Sequence, residues 1–330
     1  MSSHDDARRH ASTAGGCCGG RRGAAAAAPA GAQPGPVDSS RMVQIPGGSF
    51  LMGSDRHYRE ERPTRRISVE GFRIDRHPVT NAEFRAFVEA TGYLSTSERQ
   101  PDPRLYPDAD PELLAPGSLV FVKPDRPVGL RDFRQWWAYV LGASWRRPLG
   151  PDSSLEGLDD HPVVHVSYED AAAYAAWAGK SLPTEAEWEF AARGGLDGAV
   201  YPWGDEFMPD GRMMANTWQG QFPWQNSLED GYERTSPVGA YPPNGYGLHD
   251  VVGNVWEWTT TAFGAPPGVA QAKSCCVPGR ADDPSVRHVV KGGSHLCAPN
   301  YCLRYRPAAR QGQTLDTATS HIGFRCVIRG

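Results

Sequence analysis

The chain has 330 residues, a formal net charge of −4, 39% hydrophobic and 22% charged residues, so it is long enough to bury a sizeable core in one or two domains. The slight acidic balance excludes a general nucleic-acid footprint, and no stretch approaches the roughly 18 consecutive apolar residues of a membrane span. Seven cysteines, an odd count, argue against a disulfide framework, and with no stretch that reads as an apolar secretory leader a reducing cytoplasm is the expectation.

Residues 1–40 are rich in Ala, Gly, Pro and Ser and contain no aromatic residue. Such a stretch buries too little apolar surface to offset its ordering entropy, so it reads as a disordered tail. From Met42, "MVQIPGGSFLMGS" reads as two short strands around a Pro-Gly-Gly turn, and "RRISVEGFRIDRHPVT" as one strand ending at Pro78. A helix follows, opened by a Thr80/Glu83 capping box and closed by Gly92. Regular pattern is scarce from Leu94 to Asp160, where Trp136, Trp137 and Trp145 crowd together; indole rings need burial or a ligand face. "HPVVHVSYED" promises a short strand and then a helix opened at Ser167 with Asp170, ending at Gly179. A further helix opens at Thr184 with Glu187 and ends at Gly194. Beyond Gly195 the chain is loop-rich, with strand-like runs in "VGNVWEWTT", "RHVVKGGS" and "HIGFRCVIRG". Irregular segments of this length in a compact domain are functional or ion-tethered.

"GGSHLCAPNYCLRYR", Gly292 to Arg306, carries Cys297 and Cys302 at Cys-x4-Cys spacing. Three readings stay open on the residues alone. The thiols act as small buried apolar groups, or as a redox disulfide if their Cα atoms come within roughly 7 Å, or as a soft-metal site. Zinc wants three or four ligands, which two cysteines without a histidine pattern do not supply. Cu(I) accepts two thiolates.

The order "IPGGSFLMGS", "HPVTNAEFRAF", "LPTEAEWEFAARGG", "YPWGDE", "NGYGLHDVVGNVWEWT", "KGGSHLCAPNYCLRYRPAAR" and "SHIGFRC" resembles the formylglycine-generating enzymes, or sulfatase-modifying factors, from Met42 to Gly330. The resemblance implies an α+β fold low in regular secondary structure, a single domain over 41–330, related to C-type lectin folds. It implies a copper-dependent oxidase that uses O2 to convert the cysteine of a Cys-x-Pro-x-Arg motif in an unfolded sulfatase polypeptide to Cα-formylglycine. Cu(I) would be held by Cys297 and Cys302, with Ser294, Tyr301 and Trp256 matching active-site positions. His295, beside the pair, is read as structural. One structural calcium would take Asn216, the Thr217 carbonyl, Asp230 and the Tyr232 carbonyl. A second would take Asp250, the Gly253 and Val255 carbonyls, and Glu257. Oxygen ligands on loops suit calcium, although Asx-turn and cap chemistry would use the same residues. Trp136, Trp137, Trp145 and Tyr241 are expected to line a peptide groove. The protein is expected to work as a cytoplasmic monomer, without membrane or nucleic acid.

Two departures from the family pattern stand out. Ala191, Ala192 and Pro307 occupy places where exported members carry cysteines, so Cys326 lacks a partner, while Cys275, Cys276, Cys17 and Cys18 fall outside the shared pattern. The rival readings are a lectin-like binding module, a non-haem iron enzyme of the ergothioneine type, which needs two or three histidines, and a thiol protease, which needs a positioned histidine. The intact thiol pair weighs against the first; the N-terminal tail is too short for the helical domain that usually supplies some of the iron ligands, and His295 lies only two residues from Cys297 with nothing else to support a protease.

Overall fold

The computed structural model describes residues 39–264 and 286–330; Cys17, Cys18, Cys275 and Cys276 lie outside them. Strands β1 (Met42–Ile45) and β2 (Gly48–Met52) form as expected around the Pro-Gly-Gly turn, but they do not pair with each other. The expected single strand after Arg65 is two, β3 (Arg65–Val69) and β4 (Phe72–Asp75). β2 pairs with β3, and β1 pairs with β4, both antiparallel. The division falls where the chain passes from one sheet to the other. A Cβ on Gly47 would stand 2.9 Å from the Gly71 nitrogen, so the two backbones cross in contact there and no continuous ladder can run through.

Helix α1 (Asn81–Thr91) starts at the Thr80/Glu83 capping box and ends at Gly92 in the left-handed region. Strands β5 (Gly117–Phe121) and β6 (Trp137–Leu141) make a hairpin. Helices α2 (Tyr168–Trp177) and α3 (Glu185–Ala192) open on their Ser167/Asp170 and Thr184/Glu187 boxes. The strand expected before α2 does not form. Its backbone is shared out instead, Val163 N donating to Val79 O and His165 N to Thr319 O, while His165 turns to a φ of 59°. The remaining strands are β7 (Trp256–Ala262), β8 (Arg287–Lys291), β9 (Arg310–Thr314) and the two-residue β10 (Ile322–Gly323). They form a sheet in the order β10-β7-β8-β9, and β11 (Val327–Arg329) pairs with β4. The "HIGFRCVIRG" run is thus two strands in two sheets, separated at Phe324–Cys326.

The largest core packs α1, α2, β7 and Trp145 around Phe84, Tyr174 and Phe324. A second lies between β1, β2, β4, β11 and α3, and a third around Phe121, Trp136, Trp218 and Phe222. With such short ladders, buried charges do part of the joining. Arg325 binds Glu257 through Nε and Nη2 at 2.7 Å each, and Lys291 meets Glu189 at 2.9 Å. Arg306 binds Glu61 at 2.9 and 2.6 Å with both side chains buried. None of the helices among the described residues is long and apolar enough to cross a membrane.

Candidate active site

The segment from Gly292 to Arg306 leaves β8 and carries no strand or α-helix of its own. Its course is set by close backbone approach. Gly293 has a φ of +71°, and a Cβ there would meet Arg304 O at 2.7 Å and Tyr305 N at 2.9 Å. Two tight turns then bring the thiols together: Cys297 N donates to Ser294 O at 2.9 Å, and Cys302 N to Ala298 O at 2.8 Å. Leu296 and Ala298 face the third core, whereas Cys297 and Cys302 face the first, so the loop is pinned from both sides. His295 is tied down as expected of a structural residue, its backbone N and ring Nδ1 both on Asn254 O.

The two Sγ atoms are hydrogen-bonded at 2.9 Å. That is inside non-bonded contact and well beyond the roughly 2.05 Å of a disulfide, and both cysteines are free thiols. Cys297 is 1% exposed and Cys302 9%, so the pair opens to the outside at Cys302. The two are electrostatically unequal. The hydrogen bond it shares with Cys297 and the Arg304 guanidinium hold Cys302 below the ordinary thiol range against the effect of burial. Burial and the adjacent sulfur push Cys297 well above it. Cys302 is therefore the more readily ionised sulfur.

Arg304 owes its place to a distant turn that sequence reading missed. Its guanidinium lies 3.9 Å over the Tyr58 ring and its Nη2 is 2.6 Å from Glu60 Oε1. Leu303 N donates to the Tyr58 hydroxyl at 3.0 Å, and Glu61 takes Arg306. Residues 58–61 thus clamp the chain just after Cys302. Tyr305 is buried in the same core cluster as both sulfurs. The acidic pair Glu60-Glu61 and the alternate Arg304 and Arg306 were the available signal, but nothing local couples them.

Ser294 is buried, and its Oγ accepts from Leu296 N at 3.3 Å, which shapes the first turn. Tyr301 is 41% exposed, with Phe222 stacked on it at 4.5 Å and Trp136 edge-on at 5.6 Å. Trp256 is buried in the core cluster that also holds both thiols.

The expected aromatic groove is not gathered by the fold. Trp145 is fully buried, its Nε1 donating to Glu98 at 3.2 Å. Tyr241 is buried with its hydroxyl on Asp230 at 3.2 Å. Trp137 is half-buried against His321 at 4.8 Å, and Trp136 is buried beneath Tyr301. Of the four, only Trp136 makes contact with a residue of the thiol loop among these ring pairs; the polar ends of Trp145 and Tyr241 are used internally.

Among the described residues no group of three or more His, Cys, Asp or Glu could hold a metal ion. The chain's own donors at the thiols are therefore two sulfurs. That set fits a soft ion content with two ligands, such as Cu(I), and not zinc. The first calcium set joins two loops, because Asp230 N donates to Gln219 Oε1 and Gln219 Nε2 to Thr217 O. Asn216 Nδ2 donates to Arg234 O and Tyr232 N to Asp230 Oδ1, the latter an Asx turn. Oxygens of this kind suit calcium, although both Asp230 oxygens and Thr217 O already accept hydrogen bonds within the chain. The second set fits less well. Glu257 is already neutralised by Arg325 and accepts from Trp188 Nε1, leaving Asp250, pushed up by burial, as its carboxylate without a salt bridge.

The sulfatase-modifying factor enzyme 1-like domain matches residues 28–330. The chain belongs to this family. It is 56% identical over 296 residues to the formylglycine-generating enzyme of Mycobacterium tuberculosis, covering 87% of this chain and 97% of that one. It is also 40% identical over 301 residues to the inactive Cα-formylglycine-generating enzyme 2 of Mus musculus, covering 89% and 87%. The structure of PvdO from Pseudomonas aeruginosa superposes with a TM-score of 0.57 at 26% identity, over 87% of this chain and 93% of that one. The single-domain α+β fold of the sulfatase-modifying factors, low in regular structure, is thereby confirmed.

Proposed function

We propose that this chain is a formylglycine-generating oxidase, which converts the cysteine of a Cys-x-Pro-x-Arg segment in an unfolded sulfatase to Cα-formylglycine with O2 as oxidant, and so activates the sulfatase. The observation that carries this reading is the thiol pair, because a relative named inactive shares the scaffold at 40% identity and family membership alone does not decide activity. Cys297 and Cys302 would hold Cu(I), which supplies the one-electron and dioxygen chemistry that side chains lack. The residues around them prepare the site. Cys302, the more acidic and more exposed sulfur, faces the approaching substrate. Arg304 supplies the positive charge that favours thiolate there, and the Tyr58–Glu61 turn keeps it in place. Burial of Cys297 and Trp256 keeps bulk water from the inner side of the pair. Tyr301, backed by Phe222 and Trp136, offers an exposed ring against which an extended peptide would lie. Calcium at the first oxygen set would fasten the 216–217 and 230–232 loops.

The test is incubation of the Cu(I)-loaded protein with a peptide containing Cys-Thr-Pro-Ser-Arg under air, followed by mass spectrometry. The expected product has lost sulfur and two hydrogens and gained one oxygen, and it is absent with Cys297→Ala, Cys302→Ala or copper-free protein. An unmodified peptide at verified copper occupancy would leave a binding module on this scaffold.

A further inference from the structure

A cavity of about 110 Å³ is lined by none of residues 292–306. Its walls are apolar, with Trp145, Leu155, Leu158, Pro162 and Val164 among them. Most of the polar groups at its edge are already committed. Thr235 Oγ1 is 2.9 Å from His161 Nδ1, Ser320 Oγ accepts from Phe121 N at 3.0 Å, and Ser153 Oγ donates to Gly150 O at 2.7 Å. Two groups are not committed. Asn81, 3% exposed, donates through Nδ2 to Leu158 O but leaves Oδ1 without a partner. Arg234 is half-buried, and among the described residues nothing forms a hydrogen bond or ion pair with its guanidinium. Its neighbour Glu233 pairs instead with Lys123 at 3.3 Å.

Burial pushes Arg234 below its usual range, which only Glu233 offsets. A guanidinium presents five donors in a planar fork that matches a carboxylate. An apolar pocket with one convergent charge is the ordinary make-up of a small-ligand site. We propose that this cavity binds a small carboxylate with an apolar body, its carboxylate on Arg234 and its body between Trp145 and the leucines. No residue of the thiol loop lines this cavity, so its test needs neither copper nor peptide.

The experiment is isothermal titration of the full chain with 3-phenylpropionate, 3-phenylpropanol and acetate, alongside the variants Arg234→Met and Leu155→Trp. Saturable binding of 3-phenylpropionate is expected, weakened roughly tenfold or more when the carboxylate is replaced by the alcohol or Arg234 by Met. The cavity-filling Leu155→Trp should weaken it as well, with thermal midpoints confirming that both variants fold. Equal binding of acetate would overturn the apolar part of the assignment. No saturable binding, or binding unchanged in Arg234→Met, would overturn the site and leave Arg234 a hydrated side chain.

Discussion

Two adjacent glutamates reach the chain beyond Cys302, and the structure predicts that their loss differs sharply in cost. Glu61 is 0% exposed and its partner Arg306 2%. Glu61→Gln keeps an amide oxygen as acceptor but leaves the Arg306 guanidinium buried without a counter-charge. Breaking a buried pair on one side costs about 3–5 kcal/mol, and the retained acceptor places this variant near 3. For a domain of this size that lowers the melting temperature by roughly 6–12 °C. Glu60 and Arg304 are 27% and 22% exposed at their side chains, at 2.6 Å. Partly solvated pairs are worth about 1 kcal/mol or less, so Glu60→Gln should move the melting temperature by at most about 4 °C. Calorimetric or circular-dichroism melts of the two variants, each checked by urea titration, decide the matter. A Glu61→Gln loss under about 1 kcal/mol, or one no larger than that of Glu60→Gln, would refute the view that this turn holds the loop through a desolvated ion pair.

The remaining predictions concern the same framework. His165 is fully buried, between Ser118 Oγ and Pro148 O, and burial pushes its pKa from 6.5 down to about 4. The unfolded chain therefore binds the proton first. The stability this residue contributes is full above pH 6.5 and falls by roughly 3 kcal/mol as pH drops to 4; urea midpoints of wild type and His165→Gln across that range should show the slope shrinking in the variant, and parallel curves would exclude the assignment. Gly293→Ala forces a Cβ against Arg304 O and Tyr305 N, and should cost about 1–3 kcal/mol and lower the Cu(I) stoichiometry measured by bathocuproine competition. Unchanged stability and stoichiometry would mean that the loop tolerates being moved. If calcium sits at Asn216 and Asp230, chelation with EGTA lowers the thermal midpoint of the wild type but not that of Asp230→Ala, and equal responses would remove the ion from that place.

What the sequence disclosed was local. The three helices were legible because each opens on a capping box within four residues, and the thiol pair because both cysteines share one loop. What it withheld was assembled across distance. Tyr58 and Glu60 lie about 245 residues from the loop they hold, and no periodicity links them to it. The aromatic groove was misread for a related reason. Indole content says that a ring will be covered, but not whether peptide or core covers it. Trp145 is claimed by Phe84 at 5.2 Å and by Glu98, and Tyr241 by Asp230. The break at Phe324 was hidden because Ile322, Phe324, Cys326 and Ile328 alternate through it, whereas at Gly71 the apolar phase shifts from Ile67 and Val69 to Phe72 and Ile74, a signal that was passed over; the change of sheet itself is a tertiary event.

The turn at residues 58–61 also sets when the site can exist during synthesis. Glu61 waits for Arg306, and β4 waits for β11, across some 250 residues of chain. Contacts so far apart in sequence form late. A ribosome must therefore release nearly the whole domain before the Arg304 beside Cys302 is held in place. Until then the thiols sit on an unclamped loop. An oxidase of the proposed kind would thus be silent while its own chain is still unfolded.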